Sequence, residues 1–262
     1  MAAAADYDGF LLDLDGVVFR GAAAIPGAVE SLAELRRRGA PCAFVTNNAS
    51  RTPDEVAALL RSLGVAAEPD EVVTAAVAGA RALADEMPGG APVLVVGGAA
   101  IETALREAGL RPVRSQGDGP RAVIQGWAPE VGWGQLAEAA YALADGVPWL
   151  ATNDDASVPT ERGLAPGNGA LVAAVATATG RRPRVIGKPQ PLMFAQAARR
   201  MGARRPLVIG DRLETDIAGA VRAGFDGALV LTGASSAAAA RSAPPQRRPT
   251  HVWADLRGLL AD

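Results

Sequence analysis

The 262-residue chain carries one cysteine, one histidine and one lysine, and only 4% of its residues are aromatic. Each scarcity excludes something. A lone Cys42 permits neither an intrachain disulfide nor a cysteine metal cage. Its apolar surroundings, Ala40 to Val45, predict a buried small hydrophobe. A lone His251 after a Pro-rich stretch cannot build a histidine metal cluster and is assigned to packing. No apolar run approaches the roughly 20 residues of a membrane span. Met1 to Asp8 has no basic leader and no long apolar segment, so a cytoplasmic protein without membrane contact is expected. The net charge of −2 creates no field favouring nucleic acid. Arg36-Arg37-Arg38 and Arg247-Arg248 therefore read as solvated helix ends or loops.

What is present is an apolar alternation. Hydrophobic residues make up 49% of the chain, enough for a sizeable core. Short apolar runs alternate with Ala/Leu/Arg-rich helical stretches, the pattern of βαβ units around a parallel sheet. Strands are predicted at about residues 9–14, 42–45, 92–96, 122–125, 149–151, 206–209 and 228–231. Pro near the first turn and Gly39 at the stop frame the helix between the first two strands. Thr232 to Pro249, rich in Ala, Ser and Pro, predicts a mobile surface loop. Gly97-Gly98 is too incomplete for a dinucleotide fingerprint, and no Walker loop is present.

The most informative run is Phe10-Leu11-Leu12-Asp13-Leu14-Asp15-Gly16. On an extended chain, side chains at i and i+2 share a face, so both acids point one way. Two such charges need a cation or a shared proton, unless the pattern is only a strand end with an Asp-Gly turn. Other strand ends carry chemistry too: Thr46-Asn47-Asn48, the lone Lys188, and Gly210-Asp211 followed by Thr215-Asp216. Ligands of open α/β sheets bind at the carboxyl ends of strands. Acids, a hydroxyl and an ammonium thus converge on one rim.

Asp13-x-Asp15-Gly16-Val17, Thr46, Lys188 and Gly210-Asp211-x-x-x-Thr215-Asp216 resemble, in order, the four motifs of the haloacid dehalogenase (HAD) superfamily. Thr46-Asn47-Asn48, Gly187-Lys188-Pro189, Thr152-Asn153-Asp154-Asp155 and Pro166-Gly167-Asn168-Gly169 resemble its NagD-like, p-nitrophenylphosphatase branch. Asp154 and Ala49 depart from residues frequent in that branch, outside the chemical core. The resemblance implies an α/β fold: a Rossmann-like core, residues 1–75 and 183–262, with a large inserted α/β cap at 76–182. It implies Asp13 as nucleophile and Asp15 as general acid and base. Mg²⁺ would be held by Asp13, the Asp15 carbonyl and Asp211, with Asp216 orienting from behind. Thr46, Asn47 and Lys188 would bind the phosphoryl group. A cap loop at 154–162 would select the leaving group through Asp155, Val158, Pro159, Glu161 and Arg162.

The implied activity is Mg²⁺-dependent hydrolysis of small phosphomonoesters through an aspartyl-phosphate, with glycerol 3-phosphate or phosphoglycolate foremost. Nucleotides and sugar phosphates are the alternatives within the family, and a homodimer stays open. A phosphonatase would need a further lysine in its cap, and the chain has only Lys188. A non-catalytic phosphometabolite sensor is the alternative of a different class. The intact set Asp13, Asp15, Lys188 and Asp211 argues against it, because a sensor has no need of a nucleophile.

Overall fold

Apolar runs that end in polar residues become strands of one parallel sheet, which fixes where those residues emerge. The computed structural model describes residues 3–160 and 162–260. Strands Gly9–Leu12, Cys42–Thr46, Val72–Thr74, Pro206–Gly210, Asp226–Val230 and His251–Trp253 form a six-stranded sheet. Gly9–Leu12 sits inside it, between Pro206–Gly210 and Cys42–Thr46, parallel to both. Leu12 pairs with Ile209 on one side and with Phe44 on the other. One residue further along each chain lie Asp13, Gly210 and Val45, at the carboxyl edge.

These strands are apolar along their length because a parallel sheet is covered on both faces. Phe10, Leu12, Phe44, Leu207 and Ile209 join Leu35 of helix Ala28–Arg37 and Leu60 of helix Pro53–Ser62 in one core. Cys42, at the start of its strand, is half-buried rather than enclosed, and burial pushes its thiol up to about 12. His251 packs as expected, stacked on Trp253 at 5.4 Å between ring centres, with the Tyr7 hydroxyl 2.9 Å from Nε2.

The segment expected to be a mobile loop is built otherwise. The Ser236 hydroxyl accepts the Ala239 N–H and caps a short helix, Ala237–Arg241. Ala240 and Ala243 bury themselves against Leu213, Ile217 and Leu229.

Chain contacts separate two compact units. Residues up to Thr46, Pro53–Val73 and everything from Lys188 onward form one; Asn47–Thr52 and Thr74–Gly187 form the other. The second unit has its own five-stranded sheet, ordered Arg184–Val185, Trp149–Ala151, Ala122–Gln125, Pro92–Val96, Arg111–Val113. Its strand pairs are parallel. Val123 and Trp149 pack beneath helices Trp133–Ala144 and Asn168–Thr179, through Ala139, Leu143 and Val175. A small antiparallel hairpin, Ser157–Thr160 with Gly163–Pro166, precedes the second of these helices. Among the described residues, no helix is long and apolar enough to cross a membrane.

Candidate active site

Asp13 follows the strand Gly9–Leu12 directly, its N–H tied to the Ile209 carbonyl at 2.9 Å. Lys188 Nζ donates to Asp13 Oδ1 at 2.6 Å, to Asp216 Oδ1 at 2.7 Å and to the Val45 carbonyl at 3.1 Å. The chain's single lysine is 3% exposed. Burial opposes its charge, but the Asp13 and Asp216 carboxylates outweigh that and hold the ammonium protonated, its pKa raised.

Asp211 lies one residue beyond the strand Pro206–Gly210, and Asp216 sits in the single π-turn Leu213–Ile217 that follows. Glycines make room for both acids. A Cβ on Gly210 would fall 2.1 Å from that of Asp216, and one on Gly16 would fall 2.6 Å from Asp211 Oδ2. The Asp216 Oδ2 atom accepts the Arg212 N–H at 3.1 Å. Asp211 Oδ2 accepts the Ala234 N–H at 2.7 Å. The Asp211 Oδ1 atom is buried and has no hydrogen-bond partner among the described residues.

Asp13, Asp211 and Asp216 bring carboxylate oxygens within 4.8 Å of one another. With all three carboxylates ionised, they outnumber the one ammonium they share and repel one another. Burial, opposed by Lys188 and reinforced by Asp216 and Asp211, pushes the Asp13 carboxyl above the usual carboxylate range. The Asp211 carboxyl is raised as well, first by burial and then by Asp216. An all-oxygen donor set with an orphaned buried oxygen fits a hard divalent cation such as Mg²⁺. Asp216, with both oxygens engaged by protein donors, fits a supporting place behind Asp13 and Asp211.

The other residues singled out in the sequence are distributed as follows. Thr46 ends its strand, buried, one residue past the Val45 carbonyl that Lys188 holds. Asp15 is exposed, its backbone bridged to Phe19, and its carboxylate is not one of the three clustered acids. Asn47 belongs to the second unit, where its carbonyl accepts Asn153 Nδ2 at 3.0 Å. Asp155 and Val158 are half-buried and Arg162 is exposed, at the hairpin or just before it. Pro159 pairs with Leu164 across the hairpin, and Glu161 lies outside the described residues. Sequence reasoning missed the Ala234 contact and the room that Gly16, read there only as part of the Asp-Gly motif, leaves for Asp211. A backbone N–H leaves no side-chain pattern to find, and the glycine alone does not say which distant residue it admits.

Similarity to known proteins places the chain in a family. A family model described as haloacid dehalogenase-like hydrolase matches residues 10–111, and a second, HAD-hydrolase-like, matches residues 185–259. D-glycerol 3-phosphate phosphatase of Mycobacterium tuberculosis is 51% identical over 259 residues, covering 99% of this chain and 72% of that protein. The acid sugar phosphatase of Staphylococcus aureus is 36% identical over 258 residues, 98% of each. A crystal structure of the Mycobacterium tuberculosis glycerol phosphate phosphatase with magnesium superposes with TM-score 0.95 at 50% identity, over 99% of this chain and 78% of that one. On this similarity, which runs through both units, the chain belongs to the haloacid dehalogenase-like hydrolases.

Proposed function

We propose that the protein is a magnesium-dependent phosphatase acting on small phosphomonoesters, with glycerol 3-phosphate as its substrate. The observation that carries the chemistry is the buried cluster of Asp13, Lys188, Asp211 and Asp216, with one Asp211 oxygen unpaired among the described residues. The choice of substrate is supported by the 51% identical glycerol phosphatase.

In this reading Lys188 fixes Asp13 through Oδ1, so the other carboxylate oxygen faces the phosphorus atom. Its attack forms an aspartyl-phosphate and breaks the bond to the ester oxygen. Asp15 gives that oxygen a proton, then takes one from the water that attacks phosphorus and restores Asp13. Thr46, Asn47 and Lys188 orient the phosphoryl oxygens, since positioning and charge neutralisation dominate such transfers. Magnesium, held by Asp13, the Asp15 carbonyl and Asp211, would supply positive charge that offsets both the acid cluster and the phosphoryl group. The residues Asp155, Val158, Pro159 and Arg162 contribute to the choice of leaving group.

A screen of phosphate release over glycerol 3-phosphate, phosphoglycolate, nucleotides and sugar phosphates, with Mg²⁺ and with chelator, tests this. Glycerol 3-phosphate should give the highest kcat/KM and the chelator should abolish it. A preference for sugar phosphates would favour the function of the 36% identical relative instead.

A further inference from the structure

The second unit contains a run of buried polar contacts that the phosphoryl chemistry leaves unused. Asn153, 7% exposed, donates its Nδ2 to the Asn47 carbonyl at 3.0 Å, across 106 positions of sequence. Its Oδ1 accepts the Asp155 N–H at 3.2 Å. Its own carbonyl accepts Nδ2 of the 1% exposed Asn168 at 2.7 Å. The same Asn168 amide reaches the Gln125 carbonyl, at the end of its strand, at 3.4 Å. The Gly169 N–H then returns to the Asp155 carbonyl at 2.8 Å. Two separate sequence patterns, Thr152-Asn153-Asp154-Asp155 and Gly167-Asn168-Gly169, are thus halves of one clasp.

The clasp closes on two chain connections. A Cβ on Gly187 would lie 2.5 Å from the Thr152 carbonyl and 2.6 Å from Asn47 Oδ1, so only glycine lets these segments meet. Asn47 is bonded to Thr46 and Gly187 to Lys188, and Thr46, Asn47 and Lys188 are the residues proposed to hold the phosphoryl group. We infer that Asn153, braced by Asn168, is a positioning residue for phosphoryl transfer: its side-chain amide fixes Asn47, and through the chain Thr46. This rests on the phosphatase reading above. The physical ground is that a buried amide satisfied at both ends has one orientation, since any other leaves a donor or acceptor unpaired. A displacement of about 1 Å in a positioning group costs on the order of 100-fold in rate.

Two variants separate this role from simple support. Asn153→Leu removes both contacts. Asn153→Asp keeps the acceptor for the Asp155 N–H and loses the donor to the Asn47 carbonyl. With Mg²⁺, kcat should fall by about 10- to 100-fold for p-nitrophenyl phosphate and glycerol 3-phosphate alike, with KM little changed. The Asp variant sets a buried carboxylate against the Asn47 carbonyl and should melt somewhat lower, so kcat is read well below both melting temperatures; amide hydrogen exchange should rise about tenfold across residues 47–52 and stay near wild type in the sheet strands of the second unit. An unchanged kcat in Asn153→Asp, or a loss confined to one ester, overturns the inference. If the wild type hydrolyses neither ester, the phosphatase reading fails instead. Exchange at residues 47–52 then decides alone: unaltered protection in Asn153→Asp overturns the hold on Asn47.

Discussion

Lys188 Nζ lies 2.6 Å from Asp13 Oδ1, with the two side chains 4% and 13% exposed. An ammonium this enclosed repays its desolvation through the carboxylates around it; removing it strands Asp13 and Asp216 as buried like charges, whereas losing the Asp13 charge leaves Lys188 still paired with Asp216. Asp216, 2.7 Å from the same ammonium, makes the loss larger. Lys188→Met is expected to destabilise the metal-free protein by about 3–5 kcal/mol. Urea titration would measure it, with an unshifted midpoint counting against a structural ion pair. Lys188→Arg should not rescue activity, because a planar fork cannot replace one point charge shared among three acceptors.

Asp13 is the partner whose loss isolates the chemistry. Asp13→Asn preserves shape and one hydrogen-bond acceptor for Lys188 but is a far poorer nucleophile. Turnover of p-nitrophenyl phosphate should drop by at least about 10⁴-fold, since a member of a catalytic unit carries the whole unit's effect. Circular dichroism and melting should stay close to wild type. Activity at the wild-type level would remove Asp13 from the mechanism.

Much of this site was legible because strand-end chemistry leaves a linear trace. Asp13, Lys188 and Asp211 each follow an apolar run, and the lone lysine among 26 basic residues marks itself. What stayed hidden depends on contacts distant in sequence. The hairpin Ser157–Thr160 with Gly163–Pro166 contains Pro159 and Pro166 and shows little burial pattern, so it reads as loop. The Ala237–Arg241 helix was obscured by its Ala/Ser composition, although Ser236 is a recognisable cap in retrospect. Asn153 and Asn168 are ordinary turn residues in sequence. Only the 106-position step to Asn47 gives the first a further role.

Asp211 offers a test of the metal site that reads stability rather than turnover. Its carboxyl is raised by burial and by Asp216, which means the ionised form costs the metal-free fold free energy at neutral pH. Asp211→Asn removes that charge and its orphaned oxygen's role as ligand. The metal-free variant should therefore melt no lower than the wild type. Added Mg²⁺ should raise the wild-type melting temperature, by the linkage RT ln(1 + [Mg²⁺]/Kd), and leave the variant unmoved. An equal magnesium-dependent rise in both proteins would exclude Asp211 as a ligand.

Asp8 carries a pH dependence far from any metal ligand. Its two oxygens accept the Arg204 and Arg205 N–H groups at 2.8 and 2.9 Å, tying the approach to the first strand to the turn before Pro206–Gly210. The Arg204 backbone bond, ahead of the Arg205 one, lowers its pKa below the model-compound value of 3.8. A carboxylate depressed in the folded state adds stability above its unfolded pKa and loses it as pH falls through the folded one. Asp8→Asn should therefore melt below the wild type at pH 7, since a neutral amide oxygen is a weaker acceptor. The gap should narrow as pH drops from about 5 toward 3, because only the wild type gives up the contribution there. Thermal melts of both proteins across that range measure it. A gap that stays constant would mean the two N–H contacts do not depend on the charge of Asp8.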